Sequence, residues 1–108
     1  MLPRGHAVAS EKASALAPEL PTIAASGLAG YESISTTGLF APSSTSAAII
    51  GRLNRDSVRY LQTAEARQRF LAVGAETVGS TPEELAGKVK SEMARMSKVI
   101  RDAGIRAE

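Results

Sequence analysis

The chain has 108 residues and a mass of 11.2 kDa, which suits one small domain. Hydrophobic residues make up 44% of the sequence and charged residues 22%, as in ordinary globular proteins. The sequence contains no Cys and one His, which excludes disulfides, thiol catalysis and metal sites rich in Cys or His. No apolar run approaches the roughly 20 residues that span a bilayer, and the N-terminus lacks the apolar region of a secretory signal.

The charge balance is only weakly basic, with a net charge of +2 and a pI near 9.3. The first fifty residues carry two basic and three acidic side chains, and the rest of the chain carries eleven basic and eight acidic. Arg52, Arg55 and Arg59 could bind phosphate, but Asp56 lies among them and no aromatic residues interleave for base stacking. We therefore expect a solvated helix face and no nucleic-acid partner.

The composition changes near residue 45 and predicts two parts within a single partial domain. Residues 1–45 form a strand- and loop-rich segment, and residues 46–108 form a helical C-terminal segment. Within the first part, residues 5–10 and 34–40 are predicted strands, the second because it is rich in β-branched residues. Residues 75–78 are a candidate edge strand. Gly38 marks a bend or a close backbone approach.

Two helices are predicted after this change in composition. Thr45 is the expected N-cap of the first, and its apolar residues recur at helical spacing as Ile49, Ile50, Leu53, Val58 and Leu61. The second is predicted over residues 64–73, where it buries Phe70 and Leu71 and ends at Gly74.

A third helix has the strongest local signals. Thr81 is placed as its N-cap, Pro82 at its first position and Glu84 three residues after the cap, which is a capping box. Gly104 is placed to close it as a left-handed residue. Its apolar stripe comprises Leu85, Val89, Met93, Met96 and Ile100.

The candidates for chemistry are weak. His6 has no acidic neighbour within four positions to orient it, so an ordinary terminal histidine is the favoured interpretation. Serines and threonines at 33–37 and 43–46 could bind a small ligand or simply cap turns and helices. There is no phosphate-binding loop of the Walker type and no G-x-S-x-G elbow. We therefore predict that the chain is not an enzyme and requires no cofactor and no metal.

Five motifs, in order along the chain, resemble one known family. Residues 20–32 contain LPTIA, GL and GYE, similar to the family pattern PTVAE.GLPGYE. Residues 38–42 (GLFAP) and 49–54 (IIGRLN) resemble WxGLFAPAGTP and IVxRLN. Residues 74–84 resemble GAEPVGSTPEEF, and the C-terminus resembles EIARWGKVIKDAGIKAE. The chain is thus similar to the extracytoplasmic solute receptors of the tripartite tricarboxylate transporter system, the Bug or TctC family.

The resemblance implies an α/β fold, namely the C-terminal fragment of a two-lobed periplasmic-binding-protein type II fold, with short strands followed by three helices. It implies binding of a small carboxylated solute, a di- or tricarboxylate or an amino acid, for uptake through a membrane permease. It also implies a periplasmic location, whereas the chain as written, without a signal, would stay in the cytoplasm. Because the resemblance covers about the last third of a family member, we expect the chain to be truncated and to lack part of the binding cleft.

Within this resemblance, we expect the ligand to contact Tyr31, Thr36, Thr37 and Gly38. Tyr and Thr hydroxyls and a close backbone at Gly38 are suitable neutral donors for a carboxylate. The family usually has Trp where this chain has Thr36-Thr37, so the pocket is expected to be roomier and less apolar.

Two alternatives remain open. The chain could be a helical dimerisation module derived from such a receptor, with an exposed sheet edge and the stripe from Leu85 to Ile100 buried in a homodimer. A small basic nucleic-acid-binding protein is the last-ranked alternative.

Overall fold

The computed structural model describes residues 4–107 and contains three helices, as predicted. They are α1 (Ala47–Leu61), α2 (Ala64–Ala72) and α3 (Pro82–Asp102). The chain divides into two compact units. The described part of unit 1 comprises residues 4–39 and 62–77, and that of unit 2 comprises residues 40–61 and 78–107.

Unit 1 combines α2 with loops that meet at a single parallel β-bridge between Val8 and Thr22. The backbone N–H of Val8 donates to the carbonyl of Pro21 at 2.9 Å, and the carbonyl of Val8 accepts from the N–H of Ile23 at 2.9 Å. These two bonds bring the first loop of the chain against the loop that follows Pro21.

The predicted strands at residues 5–10, 34–40 and 75–78 are wrong as regular strands. Among the described residues, the bridge at Val8 is the one β-pairing. A strand needs a neighbouring strand to satisfy its N–H and C=O groups, and β-branched composition alone does not supply that neighbour. The expected α/β class is therefore confirmed only for its helices.

The start of α1 differs by one residue from the prediction. The Oγ of Ser46, not the side chain of Thr45, accepts from the N–H of Ile49 at 3.4 Å. The N–H of Thr45 donates to the carbonyl of Pro42 at 3.0 Å instead, which closes a turn before the helix. The cap is the residue whose side chain reaches the N–H three positions on, and in this structure that residue is Ser46.

The end of α2 confirms the predicted role of Gly74. Gly74 has φ +81°, and its N–H donates to the carbonyl of Leu71 at 3.0 Å. The N–H of Ala75 reaches the carbonyl of Phe70 at 2.9 Å, so the two bonds form a Schellman motif. At the other end of α2, the hydroxyl of Thr63 accepts from the N–H of Ala66 at 3.2 Å.

Both predicted ends of α3 are confirmed. The Oγ1 of Thr81 accepts from the N–H of Glu84 at 3.1 Å, and Pro82 is the first helical residue. Gly104 has φ +66°, and the N–H of Ile105 donates to the carbonyl of Ile100 at 3.0 Å. The residues that predict both ends of α3 therefore lie within a few positions of those ends.

The hydrophobic core is small. Among residues 4–107, Ala66 is the one hydrophobic residue that is fully buried. Phe70, which was predicted to be buried, is 38% exposed, and Leu71 is half-buried. The residues around α2 therefore do not enclose the ring of Phe70.

Candidate functional site

The four predicted ligand-binding residues lie on one continuous segment of unit 1. At its start, the N–H of Tyr31 donates to the carbonyl of Leu28 at 3.0 Å. Two residues later, the N–H of Ser33 donates to the carbonyl of Ala9 at 2.9 Å, which ties the segment to the first loop of the chain. Residues 31–42 then run without helix, strand or turn. The backbone therefore fixes the beginning of the segment.

The polar groups of this segment are accessible. The side chain of Tyr31 is 42% exposed, Thr36 and Thr37 are exposed, and Gly38 is half-buried. The next residue, Leu39, is an exposed large hydrophobic side chain. The segment thus presents exposed hydroxyl groups beside an exposed apolar side chain.

Glu76 organises the loop at residues 14–16 of the same unit, a role that its sequence motif does not indicate. Its Oε1 accepts from the N–H of Ala15 at 2.6 Å and from the Oγ of Ser14 at 3.3 Å. The hydroxyl of Ser14 accepts in turn from the N–H of Leu16 at 3.1 Å. Glu76 is 61 residues from Ala15 in the chain, so no local pattern indicates this contact.

Unit 2 contains an open cleft of about 540 Å³ where the first half of α1 meets the start of α3. Its lining residues are Thr45, Ala47, Ile50, Gly51, Asn54, Arg55, Thr81, Pro82 and Glu83. The side-chain amide of Asn54 donates to the carbonyl of Ser80 at 2.9 Å, which joins α1 to the segment before α3. None of the predicted ligand-binding residues lines this cleft.

A cluster of three charged side chains lies on α3. The carboxylate of Glu92 lies 2.7 Å from the guanidinium of Arg95 and 3.8 Å from the ammonium of Lys88. The hydrogen bond from Arg95 is the main cause that lowers the pKa of Glu92, with the charges of Arg95 and Lys88 adding to it against a desolvation that raises it. All three residues share one helix, so the cluster stabilises α3 locally.

The comparison with known families decides what the chain is related to. The sequence pattern of the tripartite tricarboxylate transporter family receptor, TctC, matches residues 4–105. The chain belongs to this family. The family expected from the five motifs is therefore confirmed.

Curated relatives agree with the TctC family. Over 84 residues the chain is 38% identical to the "UPF0065 protein in tcbD-tcbE intergenic region" of Pseudomonas sp. (strain P51), a match that covers 77% of this chain and 25% of the relative. Over 101 residues it is 32% identical to "Protein BugT" of Bordetella pertussis, covering 94% of this chain and 31% of the relative.

A solved structure, described as "R. palustris Rpa4515 with adipate", has a similar fold. It matches with a TM-score of 0.72 and 34% identity, over 91% of this chain and 33% of the R. palustris chain. The chain thus spans about a quarter to a third of the length of the proteins it matches.

Residues 4–107 contain neither a candidate membrane-spanning helix nor a candidate metal-binding cluster. No helix in this range combines the length and the apolar character that crossing a bilayer requires. Over the same residues, no group of three or more His, Cys, Asp or Glu side chains could hold a metal ion. His6 is exposed.

Proposed function

We propose that this chain provides part of the solute-binding site of a TctC-family receptor, and that the solute is a small carboxylate. The observation that carries the proposal is the 34% identity, over 91% of the chain, to an R. palustris protein whose structure is described with adipate. Family membership over residues 4–105 supports the receptor role over a catalytic one. Delivery of the solute to a membrane permease, and action in the periplasm, follow from the same role.

The segment from Tyr31 to Gly38 is the proposed contact with the carboxylate. A carboxylate that leaves water needs hydrogen-bond donors, and hydroxyl and backbone N–H groups supply them without adding a charge. Thr36 and Thr37 are exposed, so their hydroxyls are accessible to a solute.

Gly38 and the two threonines before it offer different contacts to a solute. Gly38 has no side chain, which lets a ligand approach its backbone. Thr36 and Thr37 each offer an exposed hydroxyl. We therefore propose that both hydroxyls contribute to carboxylate binding.

The complete binding cleft needs more than this chain. Ligand pockets bury most of the solute surface, whereas the proposed segment is largely exposed. Because the chain spans about a third of the R. palustris protein, the opposite wall would come from the part of a receptor that has no counterpart here. The homodimer predicted through a sheet edge remains a prediction.

A chimaera tests the function in a single polypeptide, so that the result does not depend on the association of two separate chains. The residues of this chain that match the R. palustris protein replace the matched third of that protein in one continuous polypeptide. Isothermal titration then measures binding of adipate, citrate, tartrate, glutamate and aspartate. We expect saturable heat with at least one of these carboxylates. A chimaera with native-like circular dichroism and a cooperative melt that gives no heat with any of them would contradict the proposal.

A further inference from the structure

The cleft in unit 2 has one charged residue on each of its two walls. Arg55 contributes a guanidinium from α1, and Glu83 contributes a carboxylate from the first turn of α3. Both residues are exposed, and the other residues that line the cleft are uncharged. A cation and an anion therefore line the same cleft from different helices.

Arg55 and Glu83 differ from the paired charges elsewhere on the helices. Glu65 pairs with Arg69 on α2, for example, so each of these charges is balanced within its own helix. Within residues 4–107, Arg55 and Glu83 form no ion pair with each other or with another residue. Their charges are therefore available to the charged groups of a solute.

The position of the Arg55 side chain is set by a glycine one turn earlier. Its Nη1 lies 3.5 Å from the position that a Cβ of Gly51 would occupy, so the guanidinium lies along α1 beside this residue. Gly51 is inside the helix, where glycine is less stable than alanine. It also lines the cleft, and its missing side chain leaves space next to the guanidinium.

A hydrogen bond connects the two walls of the cleft. The side-chain amide of Asn54, on α1, donates to the carbonyl of Ser80 at 2.9 Å, one residue before the N-cap of α3. A site that is ordered before binding loses less conformational freedom when the ligand arrives. The cleft volume of about 540 Å³ lies within the range of about 300–1,000 Å³ that small-molecule sites occupy.

We propose that this cleft binds a small zwitterion, such as an amino acid, with its carboxylate on Arg55 and its ammonium on Glu83. A guanidinium binds a carboxylate through two parallel hydrogen bonds, and the Glu83 carboxylate accepts from an ammonium. A simple anion would satisfy Arg55 but would meet Glu83 as a like charge. Ile50 and Pro82 add apolar contact for the carbon skeleton. This site goes beyond the proposed receptor function, because the segment of residues 31–38 contributes nothing to it.

An NMR titration of the 108-residue chain tests the proposal. The zwitterionic probes are alanine, γ-aminobutyrate and ε-aminocaproate, in which the two charges are increasingly far apart. Butyrate and propylamine are γ-aminobutyrate without its ammonium and without its carboxylate. We expect saturable shifts of the Gly51 and Thr81 amide signals with at least one zwitterion, and binding of butyrate and propylamine weaker by about tenfold. No saturable shift with any zwitterion, or equally tight binding of butyrate, would overturn the proposal.

Variants at the charged residues test the two contacts. Arg55→Gln and Glu83→Gln each remove one charge and are expected to weaken zwitterion binding about tenfold. Arg52→Gln and Glu84→Gln are the matched controls, because both residues are exposed and lie outside the cleft lining, and they should leave binding unchanged. Gly51→Leu keeps both charges but fills the cleft, and it should abolish binding.

The response to butyrate separates charge recognition from damage to the cleft. Arg55→Gln should weaken butyrate binding, whereas Glu83→Gln should strengthen it, because the second variant removes a like charge. Circular dichroism of each variant verifies that its helix content is unchanged. Unchanged zwitterion binding in both variants, or a loss in the controls equal to that in Arg55→Gln, would overturn the proposal.

Discussion

The backbone N–H of Ala15 donates a 2.6 Å hydrogen bond to the carboxylate of Glu76, across 61 residues of sequence. Ser14 adds a longer bond to the same oxygen at 3.3 Å. The motif residues Gly74-Ala75-Glu76 therefore do two things in unit 1: the glycine closes α2, and the carboxylate holds an early loop in place.

Removing the Glu76 carboxylate is expected to loosen that loop. Glu76→Ala deletes the acceptor, and a hydrogen bond of this kind contributes about 1 kcal/mol, which corresponds to about fivefold faster exchange of the Ala15 amide proton. Hydrogen exchange followed by NMR measures this. Glu76→Gln keeps an oxygen acceptor and should give an intermediate rate. Glu19→Ala, at an exposed glutamate of the same unit, should leave the rate unchanged.

Replacing either of two glycines of unit 2 with alanine is expected to change the free energy of unfolding, in opposite directions for the two positions. Gly87 lies inside α3 with nothing near the position of an added Cβ, so Gly87→Ala should raise the free energy of unfolding by about 0.5–1 kcal/mol. Gly104 has φ +66°, which a Cβ disfavours, so Gly104→Ala should lower it by about 1 kcal/mol. Urea unfolding followed by circular dichroism compares the two. Matching signs for the two variants would contradict the assigned backbone geometry.

Asn54 is expected to hold the segment before α3 against α1. Asn54→Ala removes the donor to the Ser80 carbonyl and should lower the free energy of unfolding by about 1 kcal/mol. Asn54→Asp should cost more, because a carboxylate faces the carbonyl oxygen and cannot donate. Asp56→Ala, at an exposed position two residues along α1, is the control. If Asn54→Asp is as stable as the unmodified chain, the bond is not formed in solution.

The Glu92 cluster predicts a pH dependence with a definite sign. Because its pKa is lowered in the folded chain, folded Glu92 binds a proton less readily than unfolded Glu92. Its stabilisation is therefore present above the ordinary glutamate pKa and is lost as the pH falls through the lowered value. Thermal unfolding should show Glu92→Gln less stable than the unmodified chain at pH 7 and equal to it at pH 2. Arg95→Gln, which removes the main cause, should shrink that pH-dependent difference.

Carboxylate binding by the receptor chimaera is expected to depend on the hydroxyls of Thr36 and Thr37. Thr36→Val or Thr37→Val removes a neutral donor to a charged group, which is worth about 1.5–3 kcal/mol, or about 10- to 100-fold in Kd. Titration calorimetry measures Kd for each variant. An unchanged Kd in both variants would contradict the proposed contact with the carboxylate.

The sequence was most informative where a structural feature depends on neighbouring residues. The sequence predicts the roles of Thr81, Pro82 and Gly104 in α3, because capping and helix closure use groups three to five residues apart. The predicted N-cap of α1 is wrong by one residue. Ser46 and Thr45 are both suitable cap residues, and no local feature of the sequence favours one over the other. The family was also identified from its motifs.

Features that need distant partners were not predictable in this way. The predicted strand at residues 34–40 has suitable composition, but a strand exists only when another strand pairs with it. Phe70 is more exposed than predicted, because helical periodicity indicates which side of a helix is apolar but not whether another element covers that side. The role of Glu76 depends on a contact across most of the chain. The site residues Tyr31, Thr36, Thr37 and Gly38 remain predictions.

Unit 1 is made of two separate stretches of the chain, which affects how it folds during synthesis. Unit 1 begins with the N-terminal loops, but its remaining piece, residues 62–77, is made only after all of α1, which belongs to unit 2. The bond that secures the Ala15 loop needs Glu76, so this loop leaves the ribosome 61 residues before the side chain that holds it. Closing so long a loop is slow compared with forming a helix. A nascent chain is therefore expected to expose its N-terminal loops to proteases until Glu76 has emerged.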